Sequence, residues 1–106
     1  MISAMLVAAL LQSAAINSQR DKFISCLENA AAAAKTQKIT AEAIEPHLRQ
    51  AGAAAETSFN SALVAFDVKN KVGRKQASAD AQLQADDFVT SSVEDYKNNL
   101  ARGERG

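Results

Sequence analysis

The middle of the chain decides the fold: residues 40–72 read TAEAIEPHLRQAGAAAETSFNSALVAFDVKNKV. Thr40 is a favourable helix N-cap, and Ile39 and Ile44 are spaced as a hydrophobic staple around it. Apolar residues then recur at three- and four-residue intervals, which is the period of one helix face. That stripe consists of Ile44, Leu48, Ala51, Ala55, Phe59, Ala62 and Phe66. The segment is therefore predicted to form one long helix.

Two residues interrupt this pattern. Pro46 lies inside the predicted helix, where proline removes a backbone hydrogen bond and clashes with an earlier carbonyl. We therefore expect a kink at Pro46, or a helix that restarts after it. Gly73 follows in the stretch NKVGRKQ, and it is expected to be a helix C-cap or a tight turn.

A helix is predicted on each side of the middle one. The first begins at Ser18, which with Asp21 forms a variant of the capping box, and it carries basic residues in its last turn. Its apolar stripe is Phe23, Leu27, Ala30 and Ala34. The third is expected from about Lys75 to Leu100, with a stripe of Ala81, Ala85, Val89, Val93, Tyr96 and Leu100.

These elements predict an all-α fold, an up-down-up three-helix bundle with a long middle helix. Short loops make successive helices antiparallel neighbours, and alanine runs with only four glycines and one proline favour helix throughout. The bundle is expected to occupy residues 16–101, with residues 102–106 (RGERG) as a disordered tail.

A separate, signal-like segment precedes the bundle. The apolar run AMLVAALL (residues 4–11) is followed by small residues, and Ser13 and Ala15 fit the −3 and −1 positions of a secretory cleavage site. We therefore expect residues 1–15 to be a signal peptide that is cut before Ile16. The run is shorter than the roughly 20 apolar residues that span a bilayer. An uncleaved anchor and an ordinary first helix are the two alternatives.

Charge patterning gives one candidate surface. Lys and Arg together number 12, as do Asp and Glu, so the net charge is zero and nucleic acid is not an expected partner. Four cations nevertheless surround the turn at Gly73: Lys69, Lys71, Arg74 and Lys75, here called the basic corner. It is a candidate contact for phospholipid headgroups, a glycan or the acidic face of a partner. The alternative is that Lys69 and Lys71 complement a helix C-terminus and the rest is solvated.

Candidate chemistry is otherwise sparse. Cys26 is the only cysteine, and in an exported protein it could cross-link a dimer or stay as a reactive free thiol. The alternative is a small buried apolar side chain, in an antiparallel pair that sets it opposite Gly52 or Ala53. His47, the only histidine, has no clustered ligands for zinc. No catalytic set, cofactor site or metal site is predicted, and the protein is not expected to be an enzyme.

The stretch ALVAFDVKNKVGRKQASADAQLQADDFV (residues 62–89), behind an alanine-rich leader, resembles small exported helical proteins of alphaproteobacteria. These are hypothetical proteins without an assigned activity. The resemblance implies a bacterial periplasmic setting and supplies no catalytic residues.

Two functions are expected on this basis. The first is a periplasmic or secreted structural or protein-interaction module that binds an unknown protein partner or a second copy of itself. The second is a membrane-surface protein, held by an uncleaved leader and by the basic corner. A second apolar line on the middle helix, made of Val64, Val68 and Val72, is either a partner surface or part of the core, and we favour the core.

Overall fold

The computed structural model describes the backbone of residues 2–105 and the side chains of residues 14–103. Most of the predicted leader and the last three residues of the predicted tail therefore lie outside the residues described in full. The described backbone forms four helices and no strand, which confirms the all-α prediction. The helices are α1 (Ile2–Thr36), α2 (Ile44–Ala51), α3 (Ala53–Lys69) and α4 (Arg74–Arg105).

The helices pack side by side. α1 packs against both α2 and α3, and α4 packs against the same two helices. α1 and α4 also contact each other. The longest helices contain 35 and 32 residues, which at about 1.5 Å per residue makes each about 50 Å long. The molecule accordingly measures 60 × 26 × 20 Å.

The predicted middle helix is divided, and the expected position of its break was wrong. Pro46 is the third residue of α2, where a backbone N–H has no partner within the helix, so proline costs no hydrogen bond. The interruption lies instead at Gly52. A Cβ at Gly52 would lie 3.1 Å from Cδ2 of Leu27 and 3.2 Å from Cε1 of Phe23. The break therefore coincides with a close approach of α1.

Thr40 forms the hydrogen bond expected of an N-cap. Its Oγ1 accepts a bond of 3.2 Å from the backbone N–H of Ala43, the geometry in which a capping side chain satisfies a free donor. Residues 41–43 form a turn, however, and the regular helix begins only at Ile44. The cap consequently precedes α2 by one turn.

Three phenylalanines pack together at the centre of the core, one each from α1, α3 and α4. Phe23 of α1, Phe59 of α3 and Phe88 of α4 have ring centroids 5.8 to 6.1 Å apart, the separation at which tilted and edge-on aromatic pairs are favourable. The Arg20 guanidinium lies 5.8 Å from the Phe59 ring centroid. Among the described side chains the buried residues are all apolar or aromatic: Ile16, Phe23, Leu27, Ala34, Ile44, Leu48, Phe59, Leu63, Ala77, Ala81, Ala85, Val89, Val93 and Tyr96.

The apolar stripe of α4 agrees with the sequence pattern. The five residues from Ala81 to Tyr96 on that stripe are buried, and Leu100 packs against the core from its edge. Leu83 lies off the stripe and is 63% exposed. The helix continues past Leu100 to Arg105, so its end differs from the predicted one.

An ion pair joins α4 to α2 at the surface. Arg49 Nη1 of α2 lies 3.0 Å from Asp86 Oδ1 of α4, and both side chains are about two-fifths exposed. The hydrogen bond from Arg49, followed by one from Gln82, lowers the pKa of Asp86 below its ordinary value. The same hydrogen bond with Asp86 raises the pKa of Arg49. Both shifts arise from the same hydrogen bond. Because both side chains are partly exposed, the ion pair contributes little to stability.

Candidate functional site

The basic corner spans the turn between α3 and α4. Lys69 ends α3, and Arg74 and Lys75 begin α4. Lys71 lies between them in the left-handed region, with φ of 69°. All four side chains are exposed.

The turn is built differently from the sequence-based expectation. Gly73 was expected to be a C-cap or a tight turn, but Asn70 occupies the C-cap position and Lys71 in the turn adopts the positive φ. The Asn70 side chain donates a 2.8 Å hydrogen bond to the Phe66 carbonyl, and the Val72 N–H donates to the Asp67 carbonyl at 2.9 Å. These bonds satisfy carbonyls at the helix end that have no partner within the helix. Gly73 instead precedes α4.

The helix dipoles act differently on the members of the basic corner. Lys69 lies in the last turn of α3, where the helix dipole favours a cation. Arg74 and Lys75 lie in the first turn of α4, which contains no acidic residue, and there the dipole opposes positive charge. Dipole complementarity therefore accounts for Lys69, while Arg74 and Lys75 are exposed and fit the other part of that alternative, in which the remaining cations are solvated.

The residue before the predicted cleavage point lies at the same end of the molecule. Ala15 and Lys69 line one small recess together with Ala62, Ala65 and Phe66. This proximity follows from the antiparallel packing of α1 on α3, and no local sequence pattern could have revealed it. The end of the predicted leader and the basic corner are consequently neighbours.

Cys26 is a half-buried thiol near the helix break. Its Sγ lies 3.4 Å from the backbone carbonyl of Ala51, to which it donates a hydrogen bond. The position adjoins Gly52, as the antiparallel pairing predicted.

His47 is half-buried on α2. Among the described side chains it has no hydrogen bond to Cys26, and no group of three or more potential metal-ligating residues occurs there.

A groove of about 370 Å³ separates α1 from α4, and sequence reasoning missed it. Its apolar surface comes from Ala31, Ala32, Tyr96 and Leu100, and its charged and polar rim comes from Glu28, Lys35, Ser92, Asp95 and Asn99. The short alanine side chains of α1 leave this space, so the run Ala30–Ala34 was the signal available in the sequence.

The second apolar line is half-buried: Val64 and Val68 lie on α3, and Val72 lies in the turn that follows it. Val64 packs against the core cluster, in agreement with the preferred interpretation for that residue. In the part of the chain that the structure describes, no helix is long and apolar enough to cross a membrane.

Comparisons of the chain with protein-family models, with curated protein sequences and with solved structures found no match. Function must therefore be inferred from the residues of this chain.

Proposed function

We propose that the chain is an exported protein which, after removal of residues 1–15, acts in the bacterial periplasm as a structural or protein-interaction module. One observation carries the proposal. Ile16, the first residue of the proposed mature chain, is buried in the core, while Ala14 and Ala15, which cleavage would remove, are exposed. Cleavage before Ile16 would remove none of the described core residues.

In this proposal the mature chain is an up-down-up three-helix bundle over residues 16–101, and residues 102–106 are its tail. α2 and α3 act together as the middle arm, because they follow each other with only Gly52 between them. The packing of α1 and α4 against both α2 and α3 supports this arrangement.

The proposed role is binding rather than catalysis. The hydrogen bond from Cys26 to Ala51 supports a structural thiol. The groove between α1 and α4 combines an apolar floor with charges of both signs, a combination suited to a segment of another protein or to a second copy of the chain. The resemblance to exported alphaproteobacterial proteins agrees with a periplasmic setting.

The test is the intact mass of the protein recovered from fractionated cells of a bacterial host. A periplasmic species that begins at Ile16 is expected. Ala15→Leu should block processing, because the −1 position requires a small side chain. Ala14→Leu is the matched control, since it makes the same change at an exposed neighbour and should still be processed. A full-length cytoplasmic species would refute export.

A membrane-surface protein with a retained leader is the second candidate. It is favoured by the shared recess of Ala15 and Lys69, since a retained leader in a bilayer would bring the basic corner to the headgroups. In the same fractionation, a full-length species in the membrane fraction would support this candidate over the first.

A further inference from the structure

We infer that the basic end of the mature bundle docks on anionic phospholipid headgroups, and that removal of the leader completes this surface. The inference rests on the proposed cleavage before Ile16. It names a lipid partner for the processed protein and adds the amine of Ile16 to the cations of the basic corner.

Cleavage creates a new positive charge beside the basic corner. The new terminus is the α-amino group of Ile16, whose preceding residue, Ala15, shares a recess with Lys69. An α-amino group has a pKa of about 7.7–8.0 and is largely protonated at neutral pH. The mature protein therefore carries five cationic groups at this end, the four side chains of the basic corner and this amine.

Acidic residues are few in the sequence around the basic corner. Asp67 is the only acidic residue between positions 62 and 79. Arg74 and Lys75 lie at the start of α4, and the amine of Ile16 would lie at the start of the shortened α1. All three are at positive helix ends, where the dipole opposes them. An external anionic surface would relieve this repulsion.

The arrangement fits an extended anionic surface better than a single small ion. The four side chains are exposed and belong to the ends of two helices and the turn between them, so they present a face rather than an enclosed pocket. Cations near an anionic bilayer each contribute about 1 kcal/mol, which corresponds to about fivefold in binding. Five such groups suffice for reversible attachment without an inserted helix.

The experiment uses the chain expressed with its leader and recovered from the periplasm, with its N-terminus read by intact mass. Binding is measured by co-sedimentation with vesicles of equal parts phosphatidylglycerol and phosphatidylcholine, and with vesicles of phosphatidylcholine alone. We expect binding only to the anionic vesicles, and weaker binding at high salt because exposed charges are screened.

The principal variant is Arg74→Glu with Lys75→Glu. Acidic residues stabilise the first turn of a helix, so this variant should fold at least as well as the parent. Its binding should fall by at least about 25-fold, which is about fivefold for each of two cations. Equal binding by this variant and the parent would overturn the inference.

A second pair of variants controls for net charge. Lys69→Glu with Lys71→Glu changes the basic corner, while Lys35→Glu with Lys38→Glu makes the same charge change at the other end of the bundle. The two double variants change residues in the same backbone conformations. Lys35 and Lys69 lie in the last turns of α1 and α3, and Lys38 and Lys71 both have positive φ. Only the first pair should lose binding, and equal losses would overturn the inference.

Selective acetylation tests the new amine. At about pH 6.5 the α-amino group reacts before lysine, whose pKa is about 10.4, and its acetylation should weaken vesicle binding by about fivefold. A species that begins at Ile16 but does not bind vesicles would overturn this inference and leave the proposed export intact. A full-length species would refute the processing itself. Binding of inorganic phosphate without vesicle binding would also overturn the membrane assignment.

Discussion

The phenolic oxygen of Tyr96 donates a hydrogen bond of 2.6 Å to the backbone carbonyl of Ile39. The bond joins α4 to the loop between α1 and α2, two segments that are 57 residues apart in sequence. Tyr96 is 4% exposed, so its hydroxyl is largely removed from solvent. A polar group in such a position is stable only when it is hydrogen-bonded.

Replacing Tyr96 by Phe should therefore destabilise the protein. The ring would still fill its place, but the Ile39 carbonyl would lose its partner, at a cost of about 1–2 kcal/mol in the free energy of unfolding. Urea unfolding followed by circular dichroism measures this cost. Thr57→Val is the control, because it removes an exposed hydroxyl that donates to Ala53. Equal losses in both variants would show that the Tyr96 bond has no special role.

Gly52→Ala should also destabilise the protein, by about 1–2 kcal/mol, because a new methyl group would press on Leu27 and Phe23. The backbone itself is no obstacle, since φ at Gly52 is −91°. Gly73→Ala is the matched control. No atom lies within 4 Å of a Cβ at Gly73, and its φ is not positive, so a gain of about 0.4–1 kcal/mol is expected from the stiffer unfolded chain. Thermal unfolding of the two variants should move in opposite directions.

The contrast between these glycines shows which parts of the fold the sequence could predict. The α4 stripe from Ala81 to Tyr96 was predictable because helix periodicity is a local property. The break at Gly52 was not, since it depends on Phe23 and Leu27 from another helix. Pro46 is the stronger local signal, but its position in the first turn makes it harmless.

The candidate site shows the same division. The four cations of the basic corner are close in sequence, so their clustering was visible. The proximity of Lys69 to Ala15 depends on how α1 packs against α3, and the Arg49–Asp86 pair joins residues 37 positions apart. Both relationships are tertiary. The groove between α1 and α4 could not be predicted for the same reason, although the alanines that line it are evident in the sequence.

The stability contributed by Asp86 should depend on pH. Its pKa is lowered in the folded state, chiefly by the hydrogen bond from Arg49, so the folded state binds a proton less readily than the unfolded state. The stabilisation is then fully present above the ordinary pKa of about 3.9 and is lost as pH falls through the lower, folded-state value.

Asp86→Asn tests this expectation. Because both partners are partly exposed, the variant should lose less than about 1 kcal/mol at neutral pH, and this difference from the parent should shrink as pH falls below about 3.9. Urea unfolding at a series of pH values measures it. Asp87→Asn removes the same charge from an exposed neighbour and serves as the control. A difference that grew on acidification would contradict the assigned direction of the pKa shift.

The substitution Pro46→Ala tests whether Pro46 interrupts the middle helix, as expected from the sequence, or is tolerated in the first turn of α2, as the structure indicates. If Pro46 interrupted a continuous helix, its removal would recover much of the roughly 3 kcal/mol that an interior proline costs. Pro46 is the third residue of α2, where no hydrogen bond is lost, so its rigid ring should instead stabilise by restricting the unfolded chain. We therefore expect Pro46→Ala to lower the free energy of unfolding by about 0.4–1 kcal/mol.

Ala51→Pro is the control for this measurement. It places proline in the last turn of α2, where the ring would remove a helical hydrogen bond and should cost about 3 kcal/mol or more. Urea unfolding of both variants, with circular dichroism for helix content, compares the two positions directly. A gain of more than about 1 kcal/mol in Pro46→Ala would mean that proline strains α2 as an interior residue does, and the helix break would then be assigned to Pro46 rather than to the contact of Gly52 with α1.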